Sequence, residues 1–143
     1  MPSTKVGAII IAQESYQILS LGYNGFPRSI NDEKKERWIT PTKNKFVEHA
    51  ERNAIYNASR HGTPLNNGIA IVTLFPCHEC ARALIQSGIK IIITHKSEKH
   101  RERWSESWNA SEEMFNEAGT TIIELTNQDI HEKIDATIKL DNI

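Results

Sequence analysis

Short β-rich runs alternate with helix-patterned segments from Gln17 to the end of the chain, and this alternation is what most limits the fold. Residues 5–12 (KVGAIIIA) and 17–23 (QILSLGY) read as two strands joined by a turn at Gln13-Glu14-Ser15. Residues 49–60 (HAERNAIYNASR) place Ala50, Ala54, Ile55 and Ala58 at helical spacing, with Gly62 as the stop signal. Residues 69–75 (IAIVTLF) read as a third strand ended by Pro76, and 77–87 (CHECARALIQS) as a helix turning Ala81, Leu84 and Ile85 inward before Gly88. Residues 89–94 (IKIIIT) are nearly all apolar, as a strand covered on both faces requires. The mixed-sign run 95–103 reads as a solvated lead-in to a helix over 104–118 closed by Gly119, and 120–125 (TTIIEL) as a fifth strand. Thr126 or Asn127 is placed to cap a last helix carrying an Ile130, Ile134, Ile138 stripe. Such an order implies parallel strands joined by right-handed crossovers, with the opening hairpin adding one antiparallel strand. The expected fold is α/β: a three-layer α/β/α sandwich whose mixed five-stranded sheet has helices on both faces. No repeat or linker interrupts the 143 residues, so 1–143 is expected to be a single domain.

Composition removes several classes. The two cysteines, Cys77 and Cys80, are too few and too close for a disulfide-stapled secreted scaffold. No window approaches the roughly 18 apolar residues of a membrane span, and MPSTKVGAIIIA lacks the charged start and small-residue cleavage site of a signal peptide. These features imply a cytoplasmic protein. A net charge of −1 argues against wholesale capture of nucleic acid. After Asn24-Gly25-Phe26-Pro27 comes a polar stretch of about 20 residues, a length usually reserved for functional loops.

Chemistry concentrates in two short segments. Cys77-His78-Glu79-Cys80 follows a strand and Pro76 and opens a helix, where free N–H groups and the positive dipole end favour thiolates. Taken alone it fits half of a zinc site, a thioredoxin-like redox pair, or two inert buried thiols. Glu48-His49-Ala50-Glu51 opens the preceding helix. Residues two apart diverge by about 200° around a helix, so His49 and Glu51 converge only if the helix end points into a site. Alone, this His-x-Glu reads first as a surface histidine beside a carboxylate that complements the dipole. Together, the two segments supply three zinc ligands, His49, Cys77 and Cys80, and one free carboxylate, Glu51. Parallel crossovers bring both helix starts to the same sheet edge, where open α/β sheets place their sites. Three protein ligands leave a fourth position for water, the catalytic rather than the structural arrangement. His-x-Glu followed by Pro-Cys-x-x-Cys is the known signature of zinc nucleobase deaminases.

On these residues the chain resembles the cytidine/deoxycytidylate deaminase superfamily, and within it the deoxycytidylate (dCMP) deaminases. The matching pieces are residues 2–8 (PSTKVGA), 22–28 (GYNGFPR), 49–55 (HAERNAI), 76–81 (PCHECA), 86–90 (QSGIK) and 117–119 (EAG). The resemblance implies that His49, Cys77 and Cys80 hold one catalytic zinc ion per chain and that Glu51 shuttles protons. It also implies that Asn24 hydrogen-bonds the sugar and that the Ala50 N–H meets the base carbonyl. Tyr23, Phe26, Lys5, Arg28 and Trp104 are further candidate substrate contacts, the two cations as partners of a 5′-phosphate. Members of the family carry a helix ahead of the PSTKVGA-like segment, whereas this chain starts at Met1-Pro2. The first N-terminal helix is therefore expected to be absent, with one sheet face either exposed or covered by a neighbouring subunit.

The expected activity is zinc-dependent hydrolytic deamination of a cytosine deoxynucleotide, dCMP to dUMP with release of ammonia. Alternatives are deamination of another nucleoside, nucleotide or base (dCTP, cytidine, guanine), a catalytically inactive deaminase-like assembly subunit, or a CxxC oxidoreductase. The expected partners are a small nucleotide and further copies of the chain in a homo-oligomer such as a hexamer, with no membrane and no stable nucleic-acid partner.

Overall fold

The computed structural model describes residues 4–95 and 97–129. Strands β1 (Gly7–Ile11) and β2 (Ile18–Tyr23) form the opening hairpin. A 3-10 helix (Lys35–Trp38) and one turn of helix, α1 (Lys43–Phe46), lie within the long segment that follows. The alternation then runs α2 (Ala50–His61), β3 (Ile69–Val72), α3 (His78–Gln86), β4 (Ile91–Thr94), α4 (Glu98–Glu117) and β5 (Thr121–Glu124).

The five strands stand in the order β2-β1-β3-β4-β5. β1 is antiparallel to both β2 and β3, whereas β3, β4 and β5 are mutually parallel. The sheet is mixed, as expected, with a difference in adjacency. β2 and β3 run in the same direction without pairing, because β1 is inserted between them and the α2 crossover passes over it. All three crossovers advance the same way across the sheet, so right-handed connections put α2, α3 and α4 on one face. There Ala50, Ala54 and Ala58 of α2, Ala81 and Leu84 of α3, and Trp108 and Phe115 of α4 share one core with Ala8, Ile10, Ala70, Val72 and Ile92 of the strands.

On the other face, register aligns Leu21, Ile9, Ile71, Ile93 and Ile123 in one row across the sheet. Leu21, Ile9, Ile71 and Ile123 of that row are exposed. The last helix of the sequence reading, with its Ile130, Ile134 and Ile138 stripe, lies outside the described residues. Its expected start is described: Thr126 Oγ1 accepts the Asp129 N–H at 3.1 Å, and the Asp129 carboxylate accepts the Thr126 N–H at 2.7 Å. This reciprocal pattern is that of a capping box.

One helix boundary differs from the sequence reading. α4 begins at Glu98 rather than near Trp104, so most of the run read as a solvated lead-in is helical. Its first turns face solvent and carry no apolar period to betray them. Lys, Arg and Glu nevertheless favour helix, and Glu98 pairs with Arg101 at 2.9 Å.

α2 is fixed against the edge strand β2 by an unusually close approach. A Cβ placed on Gly22 would lie 2.4 Å from both the Ala50 carbonyl oxygen and the Ala54 nitrogen, so only glycine fits. Ser20 Oγ, buried beside it, donates to the Ala54 carbonyl at 2.6 Å. Asn53 and Asn57, one turn apart on α2, donate to the carbonyls of Tyr23 and Leu21 at 2.8 and 2.7 Å. These bonds satisfy backbone groups of an edge strand that would otherwise be available to another chain. Gly22→Ala is expected to cost about 3 kcal/mol or to abolish folding, since helix backbone cannot yield as a side chain can. Gly7→Ala, whose Cβ would meet only Thr73 Cγ2 at 4.0 Å, should cost less than about 1 kcal/mol in the same denaturant titration.

Candidate active site

β2 and β3 share a direction, and the chain leaves the C-terminal end of each to enter a helix, α2 or α3. The starts of both helices therefore meet at one sheet edge. His49 is the N-cap of α2 and Cys77 the N-cap of α3, both with extended backbone. That conformation is how residues that would diverge within a helix come together. His49 precedes the helix, Glu51 lies in its first turn, and both line one cavity. Cys80, in the first turn of α3, joins Cys77 in the same way.

His49 Nδ1 lies 3.4 Å from Cys77 Sγ and 3.5 Å from Cys80 Sγ. The three ligand atoms all lie within 4.8 Å of one another. A tetrahedral zinc ion with bonds of about 2.3 Å to sulfur and about 2.1 Å to nitrogen separates such ligands by roughly 3.6 Å. The donor set, two sulfurs and one imidazole, is also zinc chemistry. The residues present fit the metal. Both cysteines are buried and neither is in a disulfide.

The electrostatics agree with a cation-binding role. The Cys80 thiol donates to Cys77 and the His49 ring stands against it, which holds the Cys77 thiol down at about 4. The same contact, with burial, pushes Cys80 up. The Cys77 thiolate raises His49 against the opposing effect of burial. A divalent cation takes the place of these protons on binding. Burial raises the Glu51 carboxyl above its ordinary value.

Around the ligands runs a polar brace. Glu48 accepts the His49 N–H at 2.9 Å and pairs with Arg52. Arg52 reaches across to Glu79 at 3.0 Å, tying the start of α2 to the turn between the two cysteines. From α4, buried Ser111 donates to the Pro76 carbonyl at 2.9 Å, and Ser107 Oγ accepts the His78 N–H at 2.9 Å.

The cavity encloses about 720 Å³, a size suited to a small molecule. Much of one wall is the long polar segment of the sequence reading. It is folded rather than loose: Phe26 stacks on Trp38 at 4.4 Å and contacts Phe46 at 5.7 Å, and Gly25 and Glu48 exchange two backbone hydrogen bonds. Of the candidate contacts, Asn24, Ala50 and Trp104 line the cavity with His49, Glu51 and Cys77. The Asn24 amide is engaged, accepting the Val6 N–H and donating to the Thr4 carbonyl, each at 2.9 Å. Trp104 meets the His49 ring edge-on, with centroids 6.5 Å apart. Tyr23, Phe26, Lys5 and Arg28 stand outside the lining. Tyr23 is exposed, Phe26 supports Trp38 from behind, and Arg28 is hydrogen-bonded to the Asn57 side chain. Trp38, Lys43 and Arg103 line the cavity and were not singled out from sequence. A lone tryptophan within a polar stretch was the signal for the first; nothing distinguished the two cations from ordinary surface charge.

A compact α/β domain with His-x-Glu and Cys-x-x-Cys segments converging at two helix starts defines a zinc-dependent deaminase fold. Residues 1–96 match the family described as the cytidine and deoxycytidylate deaminase zinc-binding region, and the chain belongs to that family. The deoxycytidylate deaminase of Pongo abelii is 38% identical over 126 residues, covering 84% of this chain and 67% of the relative. An uncharacterized deaminase in the luxG 3′ region of Aliivibrio fischeri is 39% identical over 124 residues, covering 85% and 79%. In fold, the chain is similar to the dCMP deaminase of cyanophage S-TIM5 solved with dCMP and dUMP. The TM-score is 0.64 with 22% identity, covering 84% of this chain and 80% of that one. Zinc is the cofactor of this family. No helix among the described residues is long and apolar enough to cross a membrane.

Metal analysis should find about one zinc per purified chain, and Cys80→Ala should lose most of it. Chelation should lower the thermal midpoint by several degrees, roughly the scale of a ligand bound only by the folded state, with recovery on adding zinc.

Proposed function

We propose that the protein deaminates dCMP hydrolytically, dCMP + H₂O giving dUMP + NH₃, as an enzyme of pyrimidine deoxynucleotide metabolism. The observation that carries this reading is the convergence of His49, Cys77 and Cys80 on one another, at a cavity that His49, Cys77 and buried Glu51 line, in a chain whose relatives include deoxycytidylate deaminases. His49, Cys77 and Cys80 hold the zinc. When bound, zinc supplies Lewis-acid activation of a water molecule. Glu51 takes a proton from the attacking water and delivers it to N3 of the cytosine as C4 is attacked. It then takes the proton of the new C4 hydroxyl and passes it to the departing amino group, so the C4 carbonyl forms, ammonia leaves and the carboxylate is regenerated. Burial suits Glu51 to both halves of this cycle, because a raised carboxyl gives up and regains a proton readily.

The other cavity residues orient the base. The Ala50 N–H belongs to the first turn of α2, where no helical carbonyl accepts it, and it is offered to the base carbonyl. Trp104, beside His49, forms a flat apolar wall for the ring. Asn24 reaches the sugar from a position fixed by its bonds to residues 4 and 6. The whole chain acts as one catalytic domain in the cytoplasm. It works as a homo-oligomer, a reading supported by the exposed apolar row on the open sheet face.

Glu51→Gln should retain zinc yet lose about three or more orders of magnitude in kcat. Ammonia release from dCMP, CMP, dCTP, deoxycytidine and guanine, with Glu51→Gln as control, tests the assignment. Turnover of the variant within about tenfold of wild type would sink the proton-shuttle role. Preference for guanine or for dCTP would move the substrate elsewhere.

A further inference from the structure

The charged groups lining the cavity divide into two sets. Glu51 is buried at the ligand end, and Arg52 and Glu79 neutralise one another at 3.0 Å. Lys43, half-buried on α1, and Arg103, exposed on α4, are the lining charges left over; neither has an ion-pair partner among the described residues. Arg103 lies over the Trp104 ring, 5.4 Å from its centroid, which holds the guanidinium beside the flat wall of the cavity. Lys43 is set by the folded segment behind it, where its N–H bonds the Ile39 carbonyl at 2.9 Å and the Phe26, Trp38 and Phe46 rings pack together. The two cations thus come from separate, independently supported elements and border the same space.

We propose that Lys43 and Arg103 form a two-cation clamp for the 5′-phosphate, and that this pair makes the site select nucleoside monophosphates over nucleosides. The assignment rests on the deaminase reading above. It gives the phosphate different partners from Lys5 and Arg28, the cations singled out in the sequence. A phosphate monoester carries about −1.5 to −2 charges at neutral pH. Two uncompensated cations match that charge, whereas the carboxyl group of Glu51 at the other end of the cavity does not. Arg103 suits a forked contact to two phosphate oxygens and Lys43 a point contact to the third. The clamp sets substrate choice without taking part in bond-making.

Binding of the product pair dUMP and deoxyuridine to zinc-loaded protein, followed by calorimetry, separates phosphate recognition from chemistry. Lys43→Gln and Arg103→Gln should each weaken dUMP by about tenfold, and the double variant further, with deoxyuridine affected less than about twofold. Lys43→Arg should restore most of the loss. The KM for dCMP should rise in parallel while kcat changes little. In the wild type, dUMP affinity should fall as sodium chloride rises and deoxyuridine affinity should not. This salt dependence stands even if a variant misfolds, and a salt-independent dUMP affinity overturns the clamp. Equal losses for dUMP and deoxyuridine, or none for either, overturn it as well. If the wild type turns over dCMP and the variants bind dUMP unchanged, the clamp alone fails. If the wild type does not act on dCMP at all, the deaminase reading fails and the clamp with it.

Discussion

The structure depends on one backbone contact, the seating of α2 on β2 at Gly22. No side chain intervenes between strand and helix there, and the helix's fully buried core residues are the alanines Ala50, Ala54 and Ala58, with Ile55 partly buried against them. The buried Ser20 hydroxyl and the Asn53 and Asn57 amides then fix the helix along the strand, not merely against it. The consequence is positional. α2 carries a metal-ligand candidate at its N-cap and a carboxylate in its first turn, so a shift of the helix by a fraction of an ångström changes the separation of His49 from the two sulfurs. Apolar packing alone would tolerate such a shift; backbone against backbone, closed by hydrogen bonds, does not.

A cost accompanies this use of helix starts. N-cap positions normally hold Ser, Thr, Asp or Asn, whose side chains satisfy the free N–H groups. Here they hold His49 and Cys77, and neither helix has a side-chain cap. The brace of Glu48, Arg52 and Glu79 offsets the loss by linking the two uncapped starts directly. α4 contributes from the other side, with Ser111 on the Pro76 carbonyl and Ser107 on the His78 N–H. An N–H left uncapped at a helix start is moreover what an anionic ligand or a carbonyl needs. Leaving the caps open and bracing the helices elsewhere keeps those donors in the site.

What could be read from the sequence follows from how local each signal is. Alternating apolar runs and glycine stops locate the strands and α2 and α3 to within a few residues, because those features record burial of one face. The clustering of Cys77, Cys80 and His49 was legible because they are rare residue types at spacings tied to helix starts. The beginning of α4 was not, since its first turns bury nothing and charge carries no period. Nor was the insertion of β1 between β2 and β3: a direction can be inferred from crossovers, an adjacency cannot. Gly22 was quoted only as part of a motif; what makes it necessary is a helix that arrives about 30 residues later. Phe26 illustrates a further limit. Its place beside Asn24 suggested contact with a ligand, while its ring is spent holding Trp38 in the wall.

The wall explains why so long a polar segment belongs in so small a domain. Residues 24–48 leave β2 and must return to α2, and a much shorter connection could close that gap. The extra length is folded around three aromatic rings, with the Trp38 indole N–H donating to the Asp32 carbonyl at 2.6 Å and Arg37 set over the Phe46 ring at 4.6 Å. These contacts give the segment a small core of its own, separate from that of the sheet. A wall built in this way can change its lining without disturbing His49 and the cysteines, because its rings pack on one another and the segment meets the start of α2 at its two ends, Gly25 and Glu48. The chemistry is therefore fixed by elements anchored on the sheet, and the identity of what enters is left to a segment free to vary.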